Sequence, residues 1–74
     1  MYKTIDLHGY KLKDAIDLVE REIGRIRMRG NEEDLHIITG RGIIRIELMN
    51  YLKIHHIDHD YELGNDGAII IRVE

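Results

Sequence analysis

Twice in this chain a short stretch of alternating apolar and polar residues runs into a glycine-bearing loop and then into a segment of helical periodicity. That repeated junction restricts the fold more than any other feature. The first alternation covers residues 2–8, with Ile5 and Leu7 on one side and Thr4, Asp6 and His8 on the other, the period of a β-strand. Beyond Gly9, apolar residues recur at Leu12, Ala15, Ile16, Val19, Ile23 and Ile26, one face of a helix, and Gly30-Asn31 supplies a C-terminal stop. The second junction repeats the plan. Residues 35–39 read as a strand, Thr39-Gly40-Arg41-Gly42 as the loop, and residues 43–54 as a helix whose apolar stripe is Ile44, Leu48 and Leu52, with Tyr51 beside it.

The remainder reads as a hairpin. Ile57, His59, Tyr61 and Leu63 alternate with Asp58, Asp60 and Glu62, Gly64-Asn65-Asp66-Gly67 is turn chemistry, and residues 68–73 form a β-branched return strand. The order βαβαββ predicts a two-layer α/β sandwich, with two helices on one face of a four-stranded mixed sheet. Right-handed crossovers in one direction leave the other face partly open, with Asp6 and His8 on or beside it. Seventy-four residues leave no room for a second unit, so residues 1–74 are expected to be a single domain that binds on a surface or shallow cleft.

The composition narrows the function classes. Without cysteine there are no disulfides and no thiolate metal sites. No apolar run approaches the ~18 residues that span a bilayer, and the amino terminus lacks a signal-peptide core, so a cytoplasmic, membrane-free protein is the expectation. The net charge of −3 argues against nucleic-acid binding by bulk charge. The charge is uneven, however. Residues 57–74 hold Asp58, Asp60, Glu62, Asp66 and Glu74 against Arg72 alone, leaving most arginines in a near-neutral remainder.

The two loops carry the candidate chemistry. Asp6-Leu7-His8-Gly9 lies at the carboxyl end of a strand, where α/β folds place ligands, and puts an acid and an imidazole on one strand face. They could serve as base, acid or metal anchor. Equally, Asp6 could accept backbone amides while His8 caps or packs and Gly9 makes the turn. Thr39-Gly40-Arg41-Gly42 brings backbone N–H groups and a helix N-terminus toward an anion, with the Arg41 fork suited to phosphate. A plain glycine turn with a solvated arginine is the alternative. The spacing is neither that of a Walker loop nor that of a dinucleotide fingerprint.

Together these motifs resemble those of the small MutS-related (Smr) domain family, whose hallmarks are a DLHG motif ending the first strand and an HGxG or TGxG motif after the second. Residues 5–9 match the first and residues 39–42 the TGxG form of the second. The resemblance covers nearly the whole chain and implies a βαβαββ fold like the C-terminal domain of translation initiation factor three. It implies binding of DNA or RNA, with DNA nicking or RNA cleavage as the associated endonuclease (hydrolase) activities, and attachment to other domains or protein partners. Asp6 and His8 would be catalytic. Gly9, Thr39, Gly40, Arg41, Gly42 and Arg45 would bind phosphate, with no assigned metal ligands and a divalent ion such as Mg²⁺ or Mn²⁺ as the one cofactor Asp6 could hold. Thr39 stands where the HGxG form has histidine, and the segment between Gly42 and Arg45 is shorter than in the family pattern. A binding module without turnover and a protein-interaction domain are the competing readings.

Two other features carry chemistry. Arg21, Arg25 and Arg29 recur every four residues on the first helix, either as a phosphate path or as a solvated face paired with Asp17, Glu20 and Glu22. His55, His56 and His59 invite a metal, although a strand beginning at Ile57 breaks the helical register they would need.

Overall fold

The computed structural model describes residues 2–30, 32–62 and 64–74. The elements are β1 (Tyr2–Asp6), α1 (Leu12–Arg29), β2 (Glu33–Ile38), α2 (Ile43–Ile54), β3 (Asp58–Glu62) and β4 (Asn65–Val73). They build the expected two-layer α/β arrangement, a four-stranded mixed sheet with two helices on one face. The sheet order is β1-β2-β4-β3, with β1 and β2 parallel and the other pairs antiparallel.

Pleat alternation selects the faces. Ile5, Ile37 and Ile69 lie across from one another, as do Leu35 and Ile71, and all are buried beneath the helices. The helices answer with Ala15, Val19, Ile23 and Ile26 from α1 and Ile44, Leu48, Met49 and Leu52 from α2, so the core is aliphatic throughout. Burial of this shared face holds the layers together. Gly30 ends α1 at φ 71, where its N–H donates to the Arg27 carbonyl.

The opposite face has no helix. Reading across it, Asp34, Arg72 and Asp58 share one row and Thr4, His36, Ile70 and Asp60 the next. Arg72 Nη1 pairs with Asp60 at 2.7 Å, and the His36 ring with the Glu62 carboxylate.

The hairpin is built differently from the expected four-residue turn at 64–67. Glu62 already pairs with Asn65, which makes β4 longer at its start, and the register then shifts so that Tyr61 faces Ile69. The additional residues on β4 form a bulge. Its effect is felt at the second loop, because the Gly67 carbonyl accepts the N–H groups of Thr39 at 2.7 Å and Gly40 at 3.1 Å. Leu63 and Asn31 lie outside the described residues.

Candidate nucleic-acid interface

The carboxyl ends of β1 and β2, the start of β4 and the end of β3 meet at one edge of the sheet. Both glycine loops lie there because each follows one of the parallel strands. Pairing continues past β1, with the Leu7 N–H donating to the Ile38 carbonyl at 2.8 Å, and buried Leu7 anchors the first loop. Gly9 then reverses the chain at φ 84, and the Tyr10 N–H closes the turn on the Leu7 carbonyl at 3.0 Å.

Asp6 is exposed, and its Oδ1 accepts the backbone N–H of His8 at 2.9 Å. This is an Asx-type turn: a carboxylate two residues upstream fixes the direction in which His8 leaves the strand. The His8 ring then reaches the second loop, where a Cβ placed on Gly40 would lie 4.0 Å from His8 Cδ2. The His8 ring therefore lies beside Gly40. No hydrogen bond to the His8 ring occurs among the described residues, which leaves both ring nitrogens available to a ligand. Asp6 positions His8 through the main chain, not through the imidazole.

Thr39 is buried, with its hydroxyl 2.7 Å from the Gly40 carbonyl and 3.2 Å from the Gly67 carbonyl. It ties the loop to β4 and faces inward. Gly40 takes φ 73, a conformation that disfavours any side chain, and Arg41 and Gly42 are exposed. Gly42 is the N-cap of α2 and supplies no side-chain cap, and no acid occupies the first turn. The orphan N–H groups at that end, with the positive end of the helix dipole, remain open toward the loop. α1 also begins at this edge, with Lys11 as a cap that makes no side-chain bond and Asp14 in its first turn.

Arg45 is placed differently from the other phosphate candidates. Its guanidinium lies over the Tyr61 ring, 4.9 Å from the centroid, and its buried Nε has no hydrogen-bond partner among the described residues. Composition and spacing could not disclose that pair, because it depends on β3 lying outside β4 and beside the start of α2.

The remaining candidates lie elsewhere. Arg25 pairs with Glu22 and Arg29 with Glu33, at the end of the sheet away from the glycine loops, so the arginine stripe does not extend this edge. His55 stacks on Tyr51 at 4.4 Å, His56 adopts φ 55, and His59 Nδ1 meets the Ile57 carbonyl at 2.7 Å. The three do not converge. Among the described residues no group of three His, Cys, Asp or Glu side chains could hold a metal ion, and no helix is long and apolar enough to cross a membrane.

Comparison with known proteins gives matches of three kinds: a family, a sequence relative and a solved structure. The Smr domain family model matches residues 5–74. Endonuclease NBR9 of Saccharomyces cerevisiae is 26% identical over 78 residues, a match that covers 95% of this chain and 32% of that protein. The chain thus spans about a third of that relative's length. The crystal structure of the Smr domain of Thermus thermophilus MutS2 superposes with a TM-score of 0.82 at 19% identity, covering 97% of this chain and 98% of the other. That likeness establishes the shared fold.

Proposed function

Because the chain belongs to the Smr domain family, we propose that residues 1–74 act as one nucleic-acid-binding domain whose Asp6–Gly9 and Thr39–Gly42 edge holds a backbone phosphate for cleavage. The observation that carries this reading is the placement of the His8 ring beside Gly40, near a helix start that no side chain caps. The amides at the start of α2 and the forked Arg41 guanidinium suit an anion, and they would stabilise charge developing on a phosphate undergoing attack. His8 has free ring nitrogens against the same loop and would move the proton: as a water oxygen bonds to phosphorus and the P–O ester bond breaks, the leaving oxygen takes a proton from the His8 ring, and the proton shed by the attacking water passes to solvent, which returns one to the ring. Asp6 is the positioning residue, because its carboxylate holds the turn that presents His8.

A divalent ion would find one free oxygen of Asp6 and an imidazole at this edge. Such a hard cation takes six or more oxygen ligands, and the absence of a three-ligand group among the described residues fits it poorly. No step is therefore routed through an ion.

Binding without turnover is the second reading. It is favoured by the Asp6 carboxylate binding the main chain instead of the His8 ring, and by buried Thr39 in the place of a histidine. Cleavage of plasmid DNA and of structured RNA by purified wild-type, His8→Ala and Arg41→Ala proteins separates the two. Cleavage lost in His8→Ala with oligonucleotide binding retained supports catalysis. Equal background cleavage by all three, with binding lost only in Arg41→Ala, supports the binding module, and absence of binding by the wild type overturns both.

A further inference from the structure

We propose that this edge takes unpaired nucleotides, their bases stacking on Tyr10 and Tyr61 at either end of the phosphate loop; the inference rests on the nucleic-acid reading above. The chain has four tyrosines as its only aromatic residues, with no phenylalanine or tryptophan. Tyr10, Tyr51 and Tyr61 all lie outside the aliphatic core, although Tyr51 packs against it from α2. Tyr10 and Tyr61 are 45% and 56% exposed, and both belong to the edge that carries His8 and Arg41.

Their placement follows from topology. Tyr10 succeeds Gly9 at the end of β1, an outer strand, and is held by its N–H bond to the Leu7 carbonyl. Tyr61 lies near the end of β3, the other outer strand, where the register breaks. The Gly40–Gly42 loop follows β2 between them. Three strand spacings separate β1 from β3, about 14 Å in all, enough for a short run of nucleotides.

Arg45 adds the second observation. No carboxylate among the described residues pairs with it, and its Nε is unpartnered, so stacking on Tyr61 holds the guanidinium at the start of α2. One face of the Tyr61 ring is thereby backed by a planar cation, while more than half of the residue stays exposed. An exposed aromatic or guanidinium plane beside a phosphate site is a surface for a base whose own face is open. In a duplex those faces are covered by neighbouring pairs. Among the described residues this edge is made of the two glycine loops, the starts of both helices and the end of the β3–β4 hairpin.

The test uses the intact 74-residue chain and four end-labelled probes at one low salt concentration: oligothymidylate, oligouridylate, an abasic strand of equal length, and a duplex of equal length. Anisotropy gives affinity, and quenching of tyrosine emission reports stacking directly because no tryptophan masks it. Both single strands should bind about fivefold or more tightly than the abasic strand and the duplex. Tyr10→Ala should remove about fivefold from single-strand affinity while leaving abasic binding unchanged; Tyr61→Leu, which also releases Arg45, should lower single-strand affinity by more than abasic affinity; and Tyr10→Phe and Tyr61→Phe should retain wild-type affinity. Thermal melting confirms that the variants fold. A preference between oligouridylate and oligothymidylate combines the sugar with the thymine methyl, and either order supports the inference so long as both exceed the abasic strand and the duplex. Equal affinity for single strand, abasic strand and duplex, with binding still lost in Arg41→Ala, overturns the stacking inference and leaves the phosphate edge standing. Binding to none of the probes overturns both.

Discussion

Gly40 and Gly42 stand two residues apart in one loop, yet an added methyl group should act on them in different ways. Gly40 has φ 73, and alanine there enters the left-handed region, which costs about 1–2 kcal/mol. The new Cβ would not clash, since its nearest neighbour is His8 Cδ2 at 4.0 Å, so backbone strain is the whole penalty. For a domain of this size each kcal/mol lowers Tm by about 4–8 °C. Gly42 has φ −94, and a Cβ there meets nothing within 4 Å. Two terms then nearly cancel: alanine is a poorer N-cap than glycine, while the restricted unfolded chain returns about 0.4–1 kcal/mol. Gly42→Ala should melt within a few degrees of wild type. Binding should show the reverse order of concern, because that Cβ occupies the open space over the α2 amides where a phosphate oxygen would approach. Calorimetric melting and oligonucleotide anisotropy on both variants, with Gly9→Ala at φ 84 as a strain control, make the comparison. A Gly42→Ala protein that keeps its Tm and also keeps wild-type affinity would refute the phosphate placement. One that melts as low as Gly40→Ala would refute the conformational argument.

Other perturbations follow from contacts away from the edge. Glu22 is 5% exposed and pairs with Lys3 at 2.9 Å and Arg25 at 3.3 Å; since both cations are half-exposed, Glu22→Gln should cost only about 1 kcal/mol in chemical denaturation. Burial, reinforced by its hydrogen bond to Glu20, raises the Tyr51 phenol above 10.0, so the neutral form is favoured by folding. Its contribution is intact below pH 10.0 and is lost as pH rises through the raised value, and Tyr51→Phe should flatten that alkaline part of a stability-versus-pH curve. Single-strand affinity should fall with salt at a logarithmic slope of about −2, as expected for contacts made by Lys11, Arg41 and Arg45 alone. A markedly steeper slope would bring the Arg21, Arg25 and Arg29 face into contact.

How far these features could be read from residue order varies with the range of the interaction. The strand over residues 2–6 and the two helices obey local periodicity, and a buried aliphatic stripe on each leaves little choice of face. That His8 and Gly40 lie at one edge followed from both loops succeeding parallel strands. The hairpin could not be placed so closely. Gly64-Asn65-Asp66-Gly67 has turn chemistry throughout, but the register is set by Gly67 pairing with Thr39 and Gly40, residues distant in the chain. The inward hydroxyl of Thr39 and the Arg45–Tyr61 stack depend on the same long-range arrangement, so no local pattern announces them.

The net charge of −3 stops being an objection once its distribution is known. Asp34, Asp58, Asp60 and Glu62 occupy the helix-free face or its border, where Arg72 is drawn to Asp60 and Asp58 and the His36 ring to Glu62. The hydrogen bond to Asp60, above all, pushes the Arg72 guanidinium further toward its charged form, so this cation stays with its carboxylates. Phosphates nearing that face meet a surface whose cations are already engaged. At the sheet edge they meet Lys11, Arg41, Arg45 and the starts of both helices, opposed by Asp6, Asp14 and, at the end of β3, Glu62, whose carboxylate is engaged by the His36 ring. If the proposed reading holds, the acidic face contributes by exclusion: it would keep a flexible polyanion from lying flat on the open sheet and leave the loop edge as the surface on which backbone and base are held together.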